Sequence, residues 1–87
     1  MIEAAENALR DLGFHDVRVR HHELKTGQLA RIEVGPDELA RLFQNGASSK
    51  VVDACKAAGY THATVDLEGY RRGSLNAALQ QPIAFRS

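Results

Sequence analysis

Residues 17–34 read VRVRHHELKTGQLARIEV, and this stretch decides the fold. Val17, Val19 and His21 alternate with Arg18, Arg20 and His22, the two-residue period of a strand with one buried face. Past the turn-like Lys25-Thr26-Gly27, Ala30, Ile32 and Val34 alternate in the same way with Leu29, Arg31 and Glu33. Two such runs joined by a short connection predict an antiparallel hairpin, with strands over residues 15–24 and 28–34.

Outward from the hairpin, the apolar period lengthens. On the N-terminal side Ile2, Ala5, Ala8, Leu9 and Leu12 recur at spacings of three and four, which predicts a helix over residues 2–12 that stops at Gly13. On the C-terminal side Gly35-Pro36-Asp37 opens a helix whose apolar side is Leu39, Leu42 and Phe43 and which ends at Asn45-Gly46. Ser48 or Ser49 then caps a helix from about residue 50 to 58, with Val51, Val52, Cys55 and Ala58 facing inward. A third strand is expected over residues 61–68, where Ala63, Val65 and Leu67 alternate with His62, Thr64, Asp66 and Glu68. After a loop over residues 69–73, Ser74 caps a short helix carrying Leu75, Ala78 and Leu79, and Pro82 stops it.

This order predicts a single α+β domain over residues 1–87. Its three-stranded mixed sheet is expected in the order 2-1-3, with the helices on one face: a ferredoxin-like layout lacking one strand. The opposite sheet face would then carry Arg18, Arg20, His22, Arg31, Glu33, His62, Thr64, Asp66 and Glu68. With the first strand central, Arg18 and Arg20 would pair with Asp66 and Glu68 across an antiparallel ladder. Such a face has two readings. One is a solvated surface held by cross-strand ion pairs. The other is an anion site or subunit interface, because two arginines at i and i+2 project side by side and can clamp one phosphate. Arg71 and Arg72, and the N-terminus that Ser74 caps, would extend that site.

Composition removes other classes. The 11 basic and 11 acidic residues balance, which argues against a dedicated nucleic-acid binder. A single cysteine cannot build a disulfide framework and fits a reducing compartment, so the expected location is cytoplasmic. No apolar run approaches the roughly 20 residues of a membrane span, and the acidic, amphipathic start MIEAAENALRD does not read as a signal peptide. His21 and His22 are adjacent and point to opposite faces of a strand, so they cannot share a metal ion. No two-histidine spacing is diagnostic, and no metal site is expected. Cys55 lies on an apolar helix stripe and reads as a small core hydrophobe, not a nucleophile. There is no Gly-rich phosphate loop, GxSxG or CxxC, so no catalytic residue is assigned.

In combination, VRVRHH (17–22), ARIEVGPDELARL (30–42) and VVDACKAAGYTHATVDLEGYRRGSLN (51–76) resemble the C-terminal domain of the LarE family. These are ATP-dependent sacrificial sulfur transferases of the PP-loop superfamily. VDLEGYRRGSLN (65–76) is the most specific part, and IEAAENALRDLGF (2–14) resembles the helix that opens that domain. The family's full enzyme adenylylates the carboxylate of a pyridinium mononucleotide and donates sulfur from its own cysteine, toward the nickel-pincer cofactor of lactate racemase. That chemistry needs an SGGxDS-type pyrophosphate loop and a sacrificial cysteine. This sequence has neither, and Cys55 is not in a matching context, so the chain is not expected to be an enzyme on its own.

What the resemblance does imply is an anion-binding and oligomerisation role, with the family's Arg-x-Arg pair on Arg18 and Arg20. Arg71, Ser74, Asp66 and Glu68 also match the family's pattern, and His22 is a further charged-face candidate. The implied ligand is phosphate or the phosphate of a mononucleotide, with no covalently bound cofactor. The implied partners are further copies of the chain and a separate PP-loop ATPase chain or domain. Met1 points to a free-standing gene product, with a domain cut from a longer chain as the alternative. The rival from another class is a plain interaction module whose charged sheet face is a self-complementary subunit interface.

Overall fold

The structure, a computed structural model, describes residues 1–70. Its elements are α1 (Ile2–Asp11), β1 (Val17–Leu24), β2 (Gly27–Val34), α2 (Pro36–Leu39), a 3-10 helix (Ala40–Phe43), α3 (Ala47–Ala57) and β3 (His62–Val65). The fold is α+β with a three-stranded mixed sheet, as the alternation predicts. Arg71, Ser74 and the predicted last helix lie outside the described residues.

The strand order differs from the expected 2-1-3. It is β1-β2-β3: β2 is central, antiparallel to β1 and parallel to β3. The two parallel strands joined by the α2–α3 crossover are therefore direct neighbours, and no strand is inserted between them as a ferredoxin-like layout would require. The physical reason lies in the strands' own composition. On β2 Ala30, Ile32, Glu33 and Val34 are all buried, whereas β1 runs into His22, Glu23 and Leu24, which are exposed. The most apolar strand takes the central place, and the strand with the polar C-terminal half takes an edge, where charged residues also discourage unwanted pairing. The register sets Arg18 opposite Glu33, Arg20 opposite Arg31, and on the other side Arg31 opposite Thr64 and Ile32 opposite Val65.

The core lies between one sheet face and the helices. Ala5 and Leu9 of α1 and Val51 and Cys55 of α3 meet Val17, Val19, Ala30, Ile32 and Val34, with Phe14, Leu42 and Tyr60 closing the sides. Each large apolar side chain buried this way contributes about 1.5–3 kcal/mol. Five residues expected on apolar faces are instead exposed: Ile2 and Leu12 at the two ends of the first helix, Phe43 at 62%, Val52 at 38% and Leu67 at 72%. Leu67 is outside because β3 ends at Val65 and the chain turns. The Glu68 and Gly69 N–H groups donate to Asp66, to its Oδ1 and its carbonyl respectively, and the Tyr70 N–H returns to the Val34 carbonyl at 2.6 Å. Phe43 points outward because the segment after Pro36 is one α turn followed by a 3-10 turn, which does not hold a continuous 3.6-residue stripe. α3 starts three residues earlier than expected, after Gly46 in a left-handed conformation, so Ser48 and Ser49 lie within its first turn and cap nothing.

Partly buried acids fix two junctions. Glu6 of α1 accepts the Val19 N–H at 2.9 Å, satisfying a backbone donor on the outer side of β1. Glu38 of α2 accepts the His15 and Asp16 N–H groups at 3.1 and 3.2 Å and so ties the crossover to the loop before β1.

Candidate functional site: an arginine face around a buried glutamate

The alternation that buries one sheet face brings Arg18, Arg20 and His22 of β1, Leu29, Arg31 and Glu33 of β2, and His62 and Thr64 of β3 onto the other. Asp66, one residue past β3, joins the same face. At its centre is Glu33, 8% exposed. Its Oε1 accepts from Arg20 Nε at 3.1 Å, and its Oε2 lies 3.2 Å from an Arg31 terminal nitrogen. Arg31 also reaches Asp66 Oδ2 at 3.4 Å. Arg20 and Arg31 are directly opposed across the ladder, and two like charges in that position repel. The shared carboxylate between them turns the repulsion into a chain of opposite charges, Arg20–Glu33–Arg31–Asp66.

Arg18 stands apart from that chain. Its guanidinium lies over the Tyr70 ring, 4.8 Å from the centroid, and one terminal nitrogen donates to the Val17 carbonyl at 3.0 Å. Stacking of this kind orients the group while leaving its remaining N–H donors available. The three arginines against Glu33 and Asp66 leave one positive charge in excess. Arg31 Nε is buried and has no hydrogen-bond partner among the described residues.

The expected pairing of Arg18 and Arg20 with Asp66 and Glu68 is not formed. β2 lies between them, and a strand on the far side of a neighbour is about 10 Å away. Asp66 pairs with Arg31 instead, and Glu68 is exposed in the turn. His22 is exposed on the same face with no charge partner among the described residues, while Arg71 and Ser74 lie outside them. The two residues that organise the face, Arg31 and Glu33, were placed on it by alternation but not singled out as site residues. The signal that identifies them is an i, i+2 Arg-x-Glu in the most apolar strand.

On the helix side, His21 Nδ1 meets the Tyr60 hydroxyl at 3.0 Å and His21 Nε2 meets Glu23 Oε2 at 2.6 Å. His21 is thus a hydrogen-bonded core-side histidine that staples β1 to the segment before β3 across β2. Burial raises the Tyr60 phenol above its ordinary value, reinforced by the nearby Cys55, Glu6 and Glu23. The hydrogen bond to His21 lowers the Glu23 carboxyl. Burial pushes the Cys55 thiol up, in keeping with its place in the core. Among the described residues no group of three His, Cys, Asp or Glu side chains is placed to hold a metal ion, and no helix is long and apolar enough to cross a membrane.

The fold and face define a small α+β domain carrying an ion-paired arginine surface on a rigid sheet, and comparison with known proteins gives that class relatives. No protein-family model matches the chain. It is 39% identical over 75 residues, 86% of its length, to the uncharacterized protein slr1717 of Synechocystis sp.. It is 35% identical over 78 residues, 90% of its length, to the pyridinium-3,5-bisthiocarboxylic acid mononucleotide synthase of Lactiplantibacillus plantarum. The chain spans only 26% of the length of each relative. It is related in sequence to this synthase across nearly all of its own residues, and the remaining three quarters of the relatives have no counterpart in it.

Proposed function

We propose that this chain is a non-catalytic anion-binding and assembly module related to the sacrificial sulfur transferases of nickel-pincer cofactor biosynthesis. It would correspond to their C-terminal domain and work beside a PP-loop ATPase chain or domain. The observation that carries the reading is the gathering of Arg18, Arg20 and Arg31 on one face, two of them paired with a single buried carboxylate, with positive charge in excess. The sheet fixes the spacing of the three guanidinium groups before any ligand arrives, which lowers the ordering cost of binding. The N–H donors that they do not use among the described residues suit a phosphate, including the phosphate of a mononucleotide, through charge-assisted bonds. The shared length with a mononucleotide synthase supports the same ligand class. Nothing in this arrangement supplies a nucleophile or a sulfur donor, so the role is to hold a ligand rather than transform it.

Titration of the purified chain with inorganic phosphate and then with a pyridine mononucleotide tests the reading. Saturable binding that is lost in a folded Arg18→Gln/Arg20→Gln variant is expected. Equal affinity in the folded double variant overturns it. Assembly is tested by native mass spectrometry with and without phosphate, where a discrete oligomer retaining stoichiometric anion is expected.

One observation favours a second reading, a plain interaction module. Phe43 and Val52 are exposed beside β3, where they border an apolar groove of about 140 Å³ with Leu42, Val51 and Val65. On that reading a second copy covers the groove, and oligomerisation persists without phosphate and in the arginine variant.

A further inference from the structure

The row of Arg20, Arg31 and Thr64 has a neighbour of a different kind on the same sheet face. Two residues nearer the hairpin turn, His22, Leu29 and His62 stand side by side across the three strands. This row holds no Asp, Glu, Lys or Arg. His22 and His62 are exposed, Leu29 between them is half-buried, and Leu24, 43% exposed, continues the apolar surface along β1. Neighbouring strands lie about 4.8 Å apart, which sets the two histidines about 10 Å apart with the leucine between them. His62 is oriented before any ligand binds, because its Nε2 shares a hydrogen bond of 3.1 Å with the Thr26 hydroxyl of the hairpin turn. Along the strands the arginine row is about 7 Å away.

We propose that this second row is a ring subsite, which takes the flat heterocycle of a ribose phosphate whose phosphate sits on the arginine row. The inference rests on the reading of the arginine face as a phosphate site and adds where the rest of the ligand lies. An open sheet face with exposed imidazoles is a platform for a planar ring, which covers apolar surface and meets the faces of the histidine rings. The spacing of the two rows suits a ligand in which one sugar joins phosphate to ring. The row on the other side of the arginines offers no such platform. There Arg18 lies opposite Glu33, with Asp66 just past β3, and a ring laid on these charges would strip them of water. The ligand therefore runs from the arginines toward the hairpin turn.

Three probes separate the two rows: inorganic phosphate, ribose 5-phosphate and nicotinic acid mononucleotide, each titrated into the chain and followed by amide chemical shifts. Phosphate and ribose 5-phosphate are expected to move the amides of Arg20 and Arg31, and the mononucleotide to move those of Leu29 and His62 as well. The mononucleotide is expected to bind about tenfold tighter than ribose 5-phosphate, the gain from stacking one ring. His62→Ala, at an exposed position, is expected to remove most of that gain. Leu29→Thr, which keeps a strand-forming residue while removing apolar surface, is expected to act in the same direction and covers the case in which one variant disturbs the fold. Mononucleotide binding no tighter than ribose 5-phosphate overturns the ring subsite while leaving the phosphate site standing, and so does a tenfold gain that survives in both folded variants. A chain that binds none of the three overturns the phosphate site, and the ring subsite with it.

Discussion

Glu33 is the residue on which the charged face turns. It is buried, yet both partners that neutralise it are about half exposed, Arg20 at 48% and Arg31 at 39%. Removing a deeply buried partner costs about 3–5 kcal/mol, but solvent screening of two half-exposed arginines brings the expected loss for Glu33→Gln to roughly 1–2 kcal/mol. Urea denaturation measures it. The same substitution takes a negative charge out from between Arg20 and Arg31, so phosphate affinity is expected to rise several-fold where stability falls. A variant that loses stability and phosphate binding together contradicts the assignment of the face as an anion site. At this scale much was legible in the sequence. Two-residue alternation alone placed Arg18, Arg20, Arg31 and Glu33 on one face. Their partners were not legible, because alternation assigns a side chain to a face without saying which strand lies beside it.

At the scale of elements, the tightest constraint is where the hairpin turn meets the segment before β3. Gly27 opens β2 with φ of +137°, a conformation that a residue with a Cβ rarely adopts, and a Cβ there would overlap Thr61 Oγ1. Gly27→Ala is therefore expected to cost about 1–3 kcal/mol, read by chemical denaturation. Thr61→Gly in the same chain removes the overlap but not the backbone strain, and is expected to recover only part of the loss. The sequence marked Lys25-Thr26-Gly27 as a turn but could not show that Thr61 approaches it, since the two segments are 34 positions apart. The crossover shows the opposite limit. Pro36, Leu39 and Leu42 read as one helix, but the chain makes an α turn and then a 3-10 turn, so local spacing identified helical character and missed the change of pitch that exposes Phe43.

At the scale of the whole molecule, the buried titratable groups set how stability depends on pH. In the unfolded chain Cys55 and Tyr60 lose their protons near the ordinary values of 9.0 and 10.0. In the folded chain burial keeps both protonated to higher pH. Above pH 9 the unfolded state therefore binds fewer protons than the folded one, and stability falls as pH rises until the folded groups also ionise. Thermal unfolding followed from pH 7 to 11 is expected to show this decline, with a shallower slope in Cys55→Ala. On the acid side the sign reverses. Glu23 is held below its ordinary 4.5 by its bond with His21, so its contribution is present above that value and fades as pH falls through the lowered one.

The sequence by itself determined the α+β class, the hairpin, the inward and outward faces of β1 and β2, and the place of Arg18, Arg20, Arg31 and Glu33 on one face, because each follows from periodicity within a few consecutive residues. Only the tertiary structure decided that β2 is central, that Arg31 rather than Arg18 or Arg20 meets Asp66, and that Arg41 lies on Phe14. These depend on which distant segments become neighbours. That choice is made by the competition among strands for the most buried position, which no local pattern records.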